Sequence, residues 1–138
     1  MIKIYRTTAT IKAERFDGSD EMIKKYPIEL DDTSVYPFRF FTPAGWLGVN
    51  IHDWIFTGTD GEYWAIADDV FKKTYAELPV IPKYVADYID MLKNNSDVIQ
   101  ASIGAIEYGW GSVELSTWIY ENGNTFARAW LDGFQLEE

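Results

Sequence analysis

Leu78-Pro79-Val80-Ile81-Pro82 is the stretch that divides this chain. Two prolines three residues apart impose extended backbone, and the second presets φ for the first turn of a helix. Beyond it Val85, Tyr88, Ile89 and Leu92 fall at i, i+3, i+4 and i+7, the spacing of one helix face. Before it the chain is rich in β-branched and aromatic residues punctuated by Gly, Asp and Pro. Residues 78–82 therefore read as an extended linker. The fold class is α+β, with a small antiparallel β unit over residues 1–78 and a helical unit over 79–138. Because Leu78, Val80 and Ile81 need burial, the reading also predicts that the β unit packs on the helical unit through this linker.

Within the β unit, Ile2, Ile4, Tyr5, Thr7, Thr8, Thr10 and Ile11 predict a long first strand over residues 2–16. Asp17-Gly18-Ser19-Asp20 predicts a turn and a helix cap, followed by a short helix with Met22, Ile23 and Tyr26 that Pro27 ends. Residues 29–34 read as loop. Phe38-Arg39-Phe40-Phe41 and Trp46-Leu47-Gly48-Val49 flank Pro43-Ala44-Gly45 as a hairpin. A second hairpin joins Trp54-Ile55-Phe56-Thr57 to Glu62-Tyr63-Trp64-Ala65-Ile66 through Gly58-Thr59-Asp60-Gly61, whose Asp-Gly favours positive φ. Ala67-Asp68-Asp69-Val70-Phe71 predicts one capped helical turn, and residues 72–77 a returning strand containing Thr74 and Tyr75.

In the helical unit the first helix ends at Asn94-Asn95, and Ser96 is the predicted cap of a second, with Val98, Ile99, Ser102, Ile103 and Ile106 on one stripe. Gly109-Trp110-Gly111-Ser112 predicts a turn. Two further helices cover residues 113–120 and 125–131, separated by Asn122-Gly123-Asn124 and closed by Gly133, and the last five residues add a strand.

The 138 residues are 47% hydrophobic and 17% aromatic, enough apolar surface to offset ordering entropy, so the chain folds. With no cysteine there is no disulfide, thiolate zinc site or cysteine nucleophile. The net charge of −10 repels phosphate backbones and argues against direct nucleic-acid binding. Residues 84–138 hold nine acids against Lys93 and Arg128, a net −7. No apolar run reaches membrane-spanning length, and Met-Ile-Lys-Ile-Tyr-Arg carries charges where a signal peptide needs an apolar core. The expectation is a soluble protein with no membrane partner.

No catalytic set emerges. His52 and Asp53 are neighbours, whose side chains point to opposite faces of a strand. Asp31-Asp32 and Asp68-Asp69 lack calcium-loop spacing and suit loop and helix-cap roles. The expectation is therefore no enzyme, no metal and no cofactor. Six Trp and nine Tyr remain, in excess of what the core needs, and aromatics with a polar edge serve as stacking platforms or interface anchors. Trp54, Trp64, Tyr75, Trp118 and Trp130 sit at core-like periodicity. Trp46 and Trp110, beside glycines in turns, are the candidates for exposed contacts, and Arg6, Arg15 and Arg39 for phosphate ligands. The ligand-binding candidates are thus Arg15, Arg39, Trp46 and Trp110.

Residues 9–77, with Asp53-Trp-Ile, Gly61-Glu-Tyr and Asp69-Val-Phe-Lys-Lys-Thr-Tyr, resemble a small phage and prophage protein family of unknown function. His52 stands where that family usually has glycine. Residues 79–134, with Pro-Val-Ile-Pro-Lys-Tyr-Val-Ala-Asp-Tyr-Ile and Phe126-Ala-Arg-Ala-Trp-Leu-Asp-Gly-Phe, are similar to a second phage family of unknown function. The resemblance implies a phage or prophage accessory gene acting in the host cell cytoplasm, and no reaction. The expected role is non-enzymatic binding that counteracts a host antiviral defence by sequestering a nucleotide immune signal, in a homo-oligomer. The alternatives are an acidic inhibitor of a nucleic-acid-binding host defence protein, such as a CRISPR effector, and a virion or assembly component.

Overall fold

The computed structural model describes residues 1–35, 37–58 and 60–138, which form two compact units, residues 1–76 and 77–138. The first holds antiparallel sheets and the second helices, an α+β protein.

In the first unit β1 (Lys12–Arg15), β5 (Trp54–Thr57) and β6 (Tyr63–Ile66) form one antiparallel sheet in the order β1-β5-β6. The second sheet has the order β2-β3-β4, from β2 (Glu29–Leu30), β3 (Phe38–Thr42) and β4 (Gly45–Gly48). Both predicted hairpins form. Thr59 of the second lies outside the described residues. Phe16, Met22, Tyr26, Ile28, Phe40, Val49 and Ile55 build the core.

Helix α1 (Asp20–Lys25) follows its sequence signals closely. Ser19 Oγ accepts the Met22 N–H at 3.3 Å, Asp20 and Glu21 sit at the positive end of the dipole, and Lys24 and Lys25 at the negative end.

Four expectations for this unit fail. The first strand is only β1, and residues 1–11 have no regular structure. Among the described residues the β1–β5 ladder begins with Lys12 opposite Thr57, the last residue of β5, and that end sets the length of β1. Leu30 and Glu29, read as loop, pair with Phe38 and Arg39. Residues 72–74, read as strand, continue helix α2 (Asp68–Thr74), and Tyr75 is its C-cap. Side-chain contacts outweigh the β propensity of Thr74 and Tyr75 here. The Trp54 indole donates to Asp68 Oδ1 at 2.8 Å, Phe71 stacks on Trp54 at 4.3 Å, and Tyr75 stacks on Phe71 one turn later. Trp64, expected in the core, is partly exposed on the outer face of its sheet.

In the second unit, residues 80–81 are not a linker. They form β7 (Val80–Ile81), which pairs in parallel with β8 (Gln135–Leu136), Val80 opposite Gln135 and Ile81 opposite Leu136. Ile81 is fully buried in this unit's own core with Val85, Ile89, Ile119 and Phe126. A parallel pair requires a long crossover, and four helices supply it: α3 (Lys83–Leu92), α4 (Val98–Ile106), α5 (Val113–Glu121) and α6 (Gly123–Asp132). Tyr88 of α3 donates from its hydroxyl to the Ala101 carbonyl of α4 at 2.6 Å, and desolvation raises its phenol pKa.

Two expectations for α4 are corrected. Its cap is Asp97, not Ser96: Asp97 Oδ1 accepts from the Gln100 N–H at 2.8 Å while Gln100 Oε1 accepts from the Asp97 N–H at 3.0 Å, a reciprocal capping box. Its buried face is Ala101, Gly104 and Ala105, whereas Ile99, Ile103 and Ile106 are exposed. Small residues let Trp110 and the neighbouring helices approach α4 closely, which turns the bulky residues outward.

Candidate functional site

The β3–β4 hairpin carries the most developed candidate face. Along β3 side chains alternate, so Phe40 and Thr42 enter the core while Arg39 and Phe41 point outward. Antiparallel register places Phe41 opposite Trp46 and Arg39 opposite Gly48. The turn is fixed from within: Thr42 Oγ1 donates to the Gly45 carbonyl at 2.8 Å and accepts from the Ala44 N–H at 3.2 Å, and Gly45 takes φ +109°.

Two of the sequence candidates meet here. The Arg39 guanidinium carbon lies 4.3 Å from the centre of the Trp46 ring, a cation–π contact. Phe41 meets Trp46 edge to face at 5.4 Å. Phe41 and Trp46 nonetheless remain 67% and 51% exposed, so the rings present open surface. Arg39 Nη2 lies 3.7 Å from Glu29 Oε2 on the neighbouring strand, and Arg39 Nε is buried without a hydrogen-bond partner among the described residues. The face therefore offers two stacking rings and a cation whose hydrogen-bonding capacity is only partly used.

Arg15 is placed elsewhere, on the outer face of the β1-β5-β6 sheet. Its Nε lies 3.6 Å from Asp68 Oδ1 and 3.5 Å from the His52 carbonyl oxygen. Asp68 also accepts from the Trp54 indole and from Lys72 at 3.0 Å, and the Trp54 hydrogen bond, then that of Lys72, holds its carboxyl below the usual range. Arg15 thus joins a network that ties β1 and β5 to α2. Trp110 belongs to the helical unit, where its ring covers Gly104 and its backbone N–H donates to the Gly104 carbonyl at 2.9 Å.

His52 occupies a turn at φ +82°, its N–H donating to the Phe16 carbonyl at 2.8 Å, while Asp53 Oδ2 accepts from the Asn50 N–H at 2.9 Å. Asp31 accepts from the Thr33 hydroxyl and N–H, which lowers its pKa. Among the described residues no three His, Asp or Glu side chains gather as a metal site would require.

Sequence reasoning missed Phe41. The signal was available, since two successive aromatics in a strand, Phe40-Phe41, must face opposite sides and only one can be core. It also missed an open depression of about 300 Å³ lined by Lys12, Glu14, Lys25, Tyr26, Thr57 and Tyr63. There Glu14 Oε2 accepts from Lys25 Nζ at 2.6 Å and from the Tyr26 hydroxyl at 2.7 Å. Those bonds, Lys25 first, hold the Glu14 carboxyl below its ordinary pKa, while burial and the Glu14 bond push the Tyr26 phenol up.

A family model described as Protein of unknown function (DUF1642) matches residues 76–138, which takes in the whole of the helical unit. No curated protein and no solved structure matches the chain. No helix among the described residues is long and apolar enough to cross a membrane.

Proposed function

We propose that the protein is a phage-encoded, non-enzymatic binding protein that captures a nucleotide on the outer face of the β3–β4 hairpin and so withdraws an immune signal from the host. The observation that carries this reading is the Arg39–Trp46 contact beside exposed Phe41. Stacked aromatic surface suits a base, and a guanidinium with unused donors suits a phosphate. The phage setting rests on the resemblance of residues 9–77 and 79–134 to two phage families. A flat face covers one side of a base only, so a homo-oligomer that closes a second copy over the ligand belongs to the same reading.

The test is a panel of cyclic nucleotides and ADP-ribose derivatives, read as thermal shifts and followed by heat denaturation to recover the ligand. A ligand at about 100 times its Kd adds roughly 2.7 kcal/mol to stability, an easily read shift. The expected result is a shift that Trp46→Ala abolishes, with the nucleotide released chemically intact. No shift with any nucleotide ends the reading; salt-sensitive capture of a basic nuclease instead would move the assignment to the acidic-inhibitor alternative.

A further inference from the structure

Helix α4 is amphipathic in the reverse sense. Its small residues, Ala101, Gly104 and Ala105, are buried, while Ile99, Ile103 and Ile106 are 66%, 40% and 41% exposed. Their spacing of four and then three residues aligns them as one seam about two turns long, the pattern by which one helix packs along another. The orientation is held from inside, because Trp110 fills the space over Gly104 and prevents the helix from turning its isoleucines inward.

Charge indicates what covers the seam. α4 itself contains no charged residue, and the two side chains at its ends, Asp97 and Glu107, are both acidic. A second copy laid along it would oppose carboxylate to carboxylate at both ends, in parallel or antiparallel orientation alike. The unit as a whole carries ten acids against three bases over residues 77–138. Of those bases, Lys83 is paired with Asp87 at 2.9 Å and Lys93 donates to the Trp130 carbonyl. An anionic lipid surface is disfavoured on the same ground.

We propose that the α4 seam docks a basic amphipathic helix of a partner protein, with an apolar stripe set on Ile99, Ile103 and Ile106 and Lys or Arg side chains facing Asp97 and Glu107. This inference is independent of the nucleotide reading, which concerns the β3–β4 hairpin.

The experiment uses the full chain and a labelled leucine–lysine peptide of roughly 18 residues, long enough to hold a helix, with leucines at three-four spacing. A control peptide has the same composition in an order that breaks the period. Fluorescence anisotropy should show salt-sensitive binding of the periodic peptide only. Binding should weaken about tenfold or more in Ile99→Ser/Ile103→Ser. Ile99→Ala/Ile103→Ala, which keeps helix propensity high, should lose binding at an unchanged melting temperature and decides the matter if the serine variant folds poorly. Equal binding of both peptides, or undiminished binding by the alanine variant, overturns the proposal. So does a dimer of the wild-type chain that the same alanine substitutions dissociate, since a second copy would then be the occupant.

Discussion

The Trp110 indole occupies the volume that a side chain at Gly104 would need: a Cβ placed there would lie 2.0 Å from the nearest ring carbon. Glycine inside a helix is about 1 kcal/mol less favourable than alanine, so on propensity alone Gly104→Ala would stabilise α4. The steric term is the larger. Displacing Trp110 strains the Gly109–Gly111 turn and uncovers the ring, and overpacking of this kind costs about 1–3 kcal/mol. Gly104→Ala is therefore expected to lower the urea midpoint and red-shift tryptophan emission. A midpoint equal to or above wild type would show that the indole moves aside freely.

His52 holds φ +82° without a glycine's freedom, and its side chain makes none of the bonds that fix the turn. Left-handed backbone costs an L-residue roughly 1–2 kcal/mol, partly offset by glycine's greater entropy when unfolded. His52→Gly should raise stability by roughly 0.5–1 kcal/mol in equilibrium unfolding. A loss would mean that the imidazole contributes a contact beyond the backbone geometry.

The bonds from Lys25 and Tyr26 to Glu14 make stability depend on pH. Because the folded carboxyl has the lower pKa, its contribution is complete above the ordinary glutamate value of about 4.3 and is lost as pH falls through the folded value. Asp68, also lowered, acts in the same direction from about 3.9 downward. Thermal melts at decreasing pH should fall less steeply for Glu14→Gln than for wild type. Parallel curves would remove Glu14 from the acid transition.

Arg39 should matter to binding and hardly to stability. An exposed ion pair with Glu29 is worth about 0–1 kcal/mol and the contact with Trp46 about 0.5–1 kcal/mol. The unpartnered Nε costs about as much as these gain. Arg39→Met is expected to change unfolding stability by less than about 0.5 kcal/mol while eliminating the nucleotide-induced thermal shift. A large loss of stability would make Arg39 a structural residue.

Local rules were legible at most turns and helix ends, though at α4 the capping box falls on Asp97 and Gln100 and not on Ser96. The Asp60-Gly61 hairpin, the Ser19 cap and the Gly133 stop all follow from residues a few positions away. The other expectations failed where the deciding partner lies beyond the immediate neighbours. Residues 2–11 have strand composition, but strand length is set by β5, which ends at Thr57. Residues 72–74 have mixed propensity, and Trp54, far upstream, tips them into helix by stacking on Phe71. The isoleucine stripe of α4 reads as core until Trp110 is found over Gly104. The candidate face was half legible: Arg39 and Trp46 were named separately, and only strand register shows that they meet while Arg15 lies in the other sheet.

The pairing of β7 with β8 brings the first and last strands of the helical unit side by side. Val80 and Gln135 are ladder partners, so the first residue of β7 and the last of β8, Leu136, lie roughly 6 Å apart, one residue of rise and one interstrand spacing. A body of that kind behaves as a cassette. It can hang from a single surface loop of another domain, or accept joined ends and a new opening between helices, without disturbing its core.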